Sequence, residues 1–484
     1  MSKLLSSTFK GLGHILGFLL RGYMLQRTTG ADLHNIQDAN YLNARNTGLL
    51  VNGDQLRLSE KESYQNLSVT APVGVGKTTR LVVPAVMDRM KQRCSMVIND
   101  PKGEVFALTS GVLDAYGYEV VLFDPSNPTQ SHRFNPLLDA KNDIELENIA
   151  QTLIWSGNAS DKDPFWNHAA TRLVSLLLKL LRNGDPKYFN LPNLHHLLSN
   201  FGSRGEGIDE FVASHYVHPQ YPDDDSLLQE WKGIIAGSKG NTQSSILNVT
   251  LTALRALSNR EVRHFLSGND YDFSQLRERK TAVFLVTPAD KQKYFSFLTS
   301  MFFSSIFQEC MRAKHLTNRH SLPVYIIYDE AGNSYIPDFA SIANTIRGYR
   351  VSLSMIFQTI SQLELRYGVA EATAIRAALS TEICLPGCDS KTAQYFSELA
   401  GIVREAQRRD FTDSMINRNE YRLLNPNEIR TMQDNEALLV SKNRQPVKLT
   451  TKAYYEVGRF RRAAKFPPIQ YPESPLRSVE CIPL

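Results

Sequence analysis

The sequence has few cysteines for its length. Its 484 residues include five of them, an odd number at scattered positions. This spacing excludes a disulfide-stabilised secreted scaffold and indicates a reducing compartment, so we expect a cytoplasmic protein. Only Cys384 and Cys388 lie close together, and no second pair stands at the spacing of a zinc site. Ordinary packing is therefore favoured for both thiols over metal binding.

Long hydrophobic runs are also missing. Residues 4–25 are largely apolar, but Lys10, His14 and Arg21 interrupt them, and the remaining stretches are too short to span a bilayer. No small-residue cleavage site follows, which argues against a signal peptide. The apolar side chains recur at helical spacing, so residues 1–26 are predicted to form an amphipathic helix. This helix either lies on a membrane or a membrane partner, or packs on its own domain.

The net charge is small, +5 from 54 basic and 49 acidic residues, and the ordinary glycine and proline content excludes a disordered or collagenous chain. The first 30 residues carry no acidic side chain, and residues 403–484 have a basic excess. Basic ends of this kind either meet anionic lipid or nucleic acid, or form a solvated surface. No catalytic-triad signature and no internal repeat stand out.

Short apolar segments alternate with helical periodicity in two parts of the chain. Residues 27–142 and 276–484 show this alternation, which is typical of a buried parallel sheet. Between them, residues 143–275 contain helix-length periodic segments and almost no strand signal. We therefore predict an α/β core with a central, mostly parallel sheet, split by an inserted all-α domain, with a basic segment at the C-terminal end.

Residues 71–79, APVGVGKTT, follow one predicted strand and open a helix, as a phosphate-binding loop requires. Ala71 replaces the usual first glycine, but it is small, and the assignment to a RecA-like P-loop core stands. Backbone N–H groups would hold the β-phosphate, Lys77 would reach the β and γ oxygens, and the Thr78 hydroxyl would bind Mg²⁺. The predicted nucleotide-binding residues are Gly74, Val75, Gly76, Lys77, Thr78 and Thr79.

An apolar strand at residues 324–328 ends in Asp329 and Glu330. Asp329 is predicted to hold the Mg²⁺ ion with its water shell, and Glu330 to act as the base for the attacking water. A helix cap is the alternative interpretation of such an acidic pair. Together with the P-loop, the pair predicts ATP hydrolysis that uses Mg²⁺.

Gln358 follows the next apolar strand, residues 351–357. It is either a catalytic sensor of the γ-phosphate or an ordinary loop glutamine. Arg347, Arg350 and Arg376 are candidates for an arginine finger that reaches the nucleotide of a neighbouring subunit.

The chain resembles the type IV secretion coupling proteins, the hexameric conjugation ATPases related to the FtsK/HerA motor superfamily. Besides the P-loop, the resemblance rests on INDPKGE at 98–104, FDP with FNPL at 123–137, DPFW at 163–166, YDEAGN with IPDF at 328–339, and IFQTISQLELRYG at 356–368. Many relatives have Phe where this chain has Ala331. The family usually places two transmembrane helices before the ATPase, so this chain looks like a member that borrows its membrane anchor from a partner.

The resemblance implies an ATP-driven motor at the cytoplasmic face of the bacterial inner membrane, peripheral to it. Such a motor would assemble as a homo-hexamer and pass single- or double-stranded DNA with its relaxase, or protein effectors, toward the channel. The implied partners are the relaxase, the relaxosome and inner-membrane type IV secretion subunits. Two alternatives remain at this point, a nucleotide-regulated docking adaptor without motor activity and a DNA-processing ATPase of repair or defence.

Overall fold

The computed structural model describes residues 27–33, 41–157, 164–237, 241–312, 314–318, 320–407 and 417–484. The amphipathic helix predicted for residues 1–26 lies outside them. Within the described ranges, no helix combines the length and the apolar character that a bilayer crossing needs. The strands are β1 (Arg27–Gly30), β2 (Leu42–Asn43), β3 (Arg57–Leu58), β4 (Leu67–Thr70), β5 (Ser95–Asn99), β6 (Glu119–Phe123), β7 (Thr281–Leu285), β8 (Val324–Tyr328), β9 (Val351–Phe357), β10 (Thr381–Cys384), β11 (Ile402–Gln407), β12 (Asn417–Arg422), β13 (Glu436–Ser441) and β14 (Val447–Thr450). The α-helices are Glu60–Ser63, Val83–Arg89, Glu104–Ala115, Asp143–Gly157, Pro164–Asn183, Leu191–Ser199, Asp209–His215, Ser226–Gly237, Asn241–Ala253, Arg260–Phe265, Gln292–Cys310, Lys314–Thr317, Phe339–Thr345, Ile360–Tyr367, Val369–Ala377, Ser390–Ala400, Pro426–Arg430 and Gly458–Ala463.

A nine-stranded sheet in the order β14-β13-β10-β4-β9-β8-β5-β7-β6 forms the centre of the molecule. The seven strands from β10 to β6 run parallel, and β13 runs against its two neighbours. The predicted mostly parallel sheet is therefore confirmed. Parallel strands are joined by crossover connections, so neighbours in the sheet can be far apart in sequence. β4 lies beside β9 in this way, while β9 and β8 are consecutive strands.

Alternate residues of the central strands pack into different cores on the two faces of the sheet. In β5, Met96 and Ile98 join one core and Val97 joins the other. In β8, Tyr325 and Ile327 face the first core, while the rest of the strand faces the second. Successive side chains of a strand point to opposite faces, so these continuous apolar runs are buried on both sides.

Residues 143–275 lie between β6 and β7 and, where described, contain helices and loops. The FNPL segment joins these helices to the sheet. The ring centre of Phe134 lies 5.6 Å from that of Phe302 and 6.1 Å from that of Phe123. The backbone N–H of Phe134 donates to the carbonyl of Phe265 at 2.8 Å. Asn135 donates to the carbonyl of Phe189 at 2.8 Å. The helices and the sheet thus share one apolar core, and the domain boundaries remain a prediction.

Two small sheets are absent from the sequence prediction. β11 pairs antiparallel with both β1 and β12, and β2 pairs with β3. β1 thereby brings the start of the described chain beside residues that are far away in sequence. The small core next to this region contains Cys384 and Cys388, both buried, which agrees with a packing role.

The last residues of the chain cross from the α/β core to the helices of residues 143–275. The Tyr471 hydroxyl donates to the carbonyl of Val120 on the edge strand β6 at 2.7 Å. Farther along, the N–H of Ile482 donates to Asn193 at 2.8 Å, and the Ile482 side chain is buried. We call residues 466–484 the C-terminal strap, because they contact both parts of the molecule.

Gly111 allows the strap to cross the helix Glu104–Ala115, since a Cβ at this position would lie 1.9 Å from the carbonyl oxygen of Pro467. We expect Gly111→Ala to lower the free energy of unfolding by about 1–3 kcal/mol, because backbone must move to admit the methyl group. Urea unfolding checks this, with Gly348→Ala as the matched control, since nothing lies within 4 Å of that Cβ. Equal midpoints for the two variants would contradict the prediction.

Candidate nucleotide-binding site

The loop between β4 and the helix Val83–Arg89 has the backbone of a phosphate-binding loop. Gly74 and Gly76 adopt φ values of 87° and 81°, a region that glycine enters at little cost. Helical conformation begins at Lys77, and a wide π turn, Thr78–Val82, precedes the α-helix. The start of a helix presents N–H groups and a partial positive charge, which favour an anion such as phosphate.

Strand β8 brings the predicted acidic pair against this loop. The ammonium Nζ of Lys77 lies 2.8 Å from Oδ1 of Asp329 and 3.6 Å from Oε1 of Glu330. Lysine and aspartate are 252 positions apart in sequence. The structure therefore brings together the three charged residues that the sequence assigns to hydrolysis, while their individual roles remain predictions.

Burial controls the electrostatics of this cluster. It raises the pKa of the Asp329 carboxyl above its ordinary value, and the Lys77 ammonium opposes that rise. Burial also raises the pKa of Asp100 to about 6, although the N–H of Phe106 donates to its Oδ2 at 2.8 Å. Asp100 follows β5, beside β8, and the charge of Asp329 adds to its shift. Two carboxyl groups thus share an edge that favours cations.

Glu330 has a left-handed backbone, with a φ of 54°. This conformation is strained for a non-glycine residue. Strained residues of this kind are typical of functional sites, where the surrounding structure holds them in place. Its Oε2 accepts a hydrogen bond from Nδ2 of Asn333 at 2.9 Å. The two carboxylate oxygens of Glu330 therefore face different partners, the amide of Asn333 on one side and the ammonium of Lys77 on the other.

Gln358 lies at the carboxyl end of β9, the strand between β4 and β8. It is half-buried, and its backbone N–H donates to Oε1 of Gln362 at 3.0 Å. This location puts it at the same sheet edge as Lys77 and Asp329. Its role as a sensor of the γ-phosphate remains a prediction.

The three arginines predicted as possible fingers occupy different surroundings. Arg350 stands at the opposite end of β9 from Gln358 and donates to the carbonyl of Ser321 at 3.0 Å. The Arg376 guanidinium packs 4.5 Å from the ring centre of Tyr395. Arg347 is exposed. That one of these arginines reaches the nucleotide of a neighbouring subunit remains a prediction.

Several polar residues of the site received no role from the sequence. Asn99, the last residue of β5, donates to the carbonyl of Asp329 at 2.7 Å, and its place at the end of a buried strand was the signal available for it. Asn333 stands three positions after Glu330 within the DEAGN segment, and Gln362 four positions after Gln358. Gln292 also belongs to the site through Asn333, at 2.8 Å, but nothing near it in sequence points there.

Comparison with known proteins places the chain among proteins of conjugation. A family model described as type IV secretory system conjugative DNA transfer matches residues 26–475. VirD4 of Agrobacterium fabrum is 25% identical over 417 residues, which cover 81% of this chain and 59% of that protein. Conjugal transfer protein TraG of Escherichia coli is 24% identical over 363 residues, covering 69% of this chain and 55% of that protein. The chain thus spans less than two thirds of the length of these relatives.

Solved structures of the bacterial conjugative coupling protein TrwB have the same fold. The unbound form of TrwBdeltaN70 aligns with a TM-score of 0.66 at 16% identity, over 88% of this chain and 94% of that one. TrwB in complex with the ATP analogue ADPNP aligns with a TM-score of 0.67 at 16% identity, over the same shares. These likenesses confirm the predicted α/β fold class. Because the family model extends over most of the sequence, the chain belongs to the type IV secretory system conjugative DNA transfer family.

Proposed function

We propose that this protein is an ATP-hydrolysing coupling protein that delivers DNA–relaxase complexes or protein substrates to a type IV secretion channel. The observation that carries the proposal is the contact of Lys77 with Asp329 and Glu330 at the P-loop, in a member of the conjugative transfer family. The relative TrwB has been solved in complex with ADPNP and with ADP and Mg²⁺, and we extend both ligands, as ATP and Mg²⁺, to this chain.

The residues at the edge of the sheet fit a hydrated magnesium ion. Asn99 Oδ1 and Thr70 Oγ1 are buried and have no hydrogen-bond partner among the described residues, and both flank the sheet edge that carries Asp329. Oxygen donors of this kind suit a hard cation that keeps several of its waters. Asp329 and the Thr78 hydroxyl would hold the ion, and when bound it would neutralise charge on the β- and γ-phosphates.

In the proposed reaction, Glu330 accepts a proton from a water whose oxygen attacks the γ-phosphorus. The new bond joins that oxygen to phosphorus, and the bond to the β–γ bridging oxygen breaks with its electron pair passing to ADP. Lys77 holds the β- and γ-phosphate oxygens and compensates their charge. Gln358, at the end of the strand between Lys77 and Asp329, contacts the γ-phosphate. Inorganic phosphate then leaves with the added oxygen.

The proposed assembly is a homo-hexamer at the cytoplasmic face of the bacterial inner membrane, peripheral to it. An arginine of one subunit would reach the nucleotide of the next subunit. The partners we propose are the relaxase and its relaxosome, protein effectors, single- or double-stranded DNA and inner-membrane type IV secretion subunits. A pore that grips a DNA backbone needs only a local basic lining, so the small net charge is compatible with this role.

Steady-state ATP hydrolysis by the purified chain, with and without single-stranded DNA, tests the proposed function. We expect DNA to raise the turnover number at least severalfold, and Lys77→Ala to remove the activity under both conditions. DNA-independent hydrolysis that persists in Lys77→Ala would indicate a contaminating enzyme. Nucleotide binding with no hydrolysis by the hexamer on DNA would contradict the motor and favour the docking adaptor.

A further inference from the structure

A chain of side-chain amides joins the carboxylate of Glu330 to the backbone of Gln358. Asn333 Nδ2 donates to Glu330 Oε2 at 2.9 Å and to Gln292 Oε1 at 2.8 Å. Gln362 Nε2 donates to Asn333 Oδ1 at 2.8 Å, and Gln362 Oε1 accepts from the N–H of Gln358 at 3.0 Å. The chain therefore links the loop after β8 with the loop after β9.

The groups at the two ends fix the orientation of every amide between them. An ionised carboxylate only accepts hydrogen bonds, so Asn333 must turn its NH₂ group toward Glu330. Its oxygen then faces Gln362, which must donate in turn. A backbone N–H only donates, so the oxygen of Gln362 must face Gln358. Both ends require the same arrangement, since a flipped Gln362 amide would break two of these bonds and a flipped Asn333 amide three.

Gly332 makes this close arrangement possible. A Cβ at this position would lie 2.7 Å from Cγ and Cδ of Gln362. A larger residue would push the Gln362 side chain away from Asn333. The third element in contact is the helix Gln292–Cys310, whose first residue accepts the second N–H of Asn333. The segments that follow β7, β8 and β9 are thus tied together through the Asn333 amide.

We propose that Asn333 is a positioning residue that orients the Glu330 carboxylate for proton abstraction and links its orientation to Gln358. The inference rests on the proposed ATPase function. Without Asn333, the contact that the described residues leave to the carboxylate is the Lys77 ammonium at 3.6 Å, and that attraction draws Glu330 away from a water at the γ-phosphate. A γ-phosphate that contacts Gln358 then acts on the base through Gln362 and Asn333.

The test compares Asn333→Ala and Asn333→Asp with the wild type in kcat and KM of ATP hydrolysis and in urea unfolding. We expect Asn333→Ala to lower kcat by about tenfold, a part of the contribution of a positioned base, with KM and the unfolding midpoint nearly unchanged. Asn333→Asp keeps the acceptor for Gln362 but removes the amide that donates to Glu330, and we expect it to lower kcat at least as far. A merely structural residue would change KM and the unfolding midpoint together with kcat.

Asn344→Ala is the matched control, because the Asn344 side chain is exposed and its amide donates within its own helix, to the carbonyl of Ala340 at 3.0 Å. Gln362→Met tests the chain of amide hydrogen bonds independently, because it removes the bonds to Asn333 and Gln358. If the amides act as one unit, the double variant with Asn333→Ala loses no more activity than Asn333→Ala alone. An active wild type whose Asn333 variants keep its kcat, or lose kcat, substrate affinity and stability together, would overturn this inference and leave the ATPase intact. A wild type no more active than Lys77→Ala would overturn both.

Discussion

Glutamine in place of Glu330 lowers the turnover number for ATP hydrolysis by about a hundred- to ten-thousandfold, the range that a general base contributes. The substitution keeps the size of the side chain and an oxygen that accepts from Asn333. It removes the group that takes the proton from water. We expect the affinity for ATP to stay near that of the wild type, since Lys77 and the P-loop are unchanged.

Single-turnover hydrolysis and titration with a fluorescent nucleotide measure the two quantities separately. Glu420→Gln is the matched control, because Glu420 pairs with Arg404 in the small sheet of β1, β11 and β12. Wild-type turnover in Glu330→Gln would show that another group accepts the proton. Asp100, whose pKa burial raises to about 6, is then the group to replace next, as Asp100→Asn.

Methionine in place of Lys77 makes the stability of the protein more dependent on pH. Asp329 is buried, and its pKa is raised although Lys77 opposes the rise. Removing the ammonium leaves an unpaired buried carboxylate, so the pKa of Asp329 rises further. We expect a loss of about 3 kcal/mol in the free energy of unfolding at pH 8, the scale for one removed partner of a buried pair.

The sign follows from proton uptake. An aspartate in the unfolded chain has a pKa of about 3.9, below that of Asp329 in the folded protein, so the folded state binds the proton more tightly. Stability is therefore fully present below about pH 4 and is lost as pH rises through the folded pKa. The difference between the Lys77→Met variant and the wild type should vanish in acid and grow toward neutral pH.

Urea unfolding between pH 4 and pH 8 measures this difference. Lys187→Met is the matched control, since the side chains of Lys187 and its partner Glu480 are both exposed, and an exposed pair contributes little. If the free energies of unfolding of Lys77→Met and the wild type change in parallel with pH, the ion pair between Lys77 and Asp329 does not stabilise the folded state.

The central sheet and the charged residues of the site were predictable from local patterns. Most parallel strands of the core are short apolar runs, and the polar residues that follow them meet at one edge, as Lys77 and Asp329 do. The pairing of β11 with β1 and β12 was not predictable, because strands such as β12, NRNEYR, have no apolar face to mark them. Their register depends on partners far away in the chain.

The polar residues around Glu330 also include some that the sequence could have predicted and some that it could not. Asn99 is the last residue of an apolar strand, so its place at the edge could have been inferred from the rule that located Asp329. Gln292 begins a long helix after β7, and only the packing of that helix against the acidic loop brings its amide to Asn333. The path of the C-terminal strap likewise depends on side chains of other segments, such as Asn193.

The position of β4 has a consequence for the synthesis of the chain. β4 carries the P-loop, yet its two neighbours in the sheet are β9 and β10, which end at residues 357 and 384. A ribosome adds about 5–20 residues per second, so β4 waits for tens of seconds before either neighbour has been made. During that interval the nascent chain has no site in which Lys77 meets Asp329. ATP bound at this site therefore cannot stabilise the early nascent chain, and both edges of β4 lack their native partners until the second half of the core is translated.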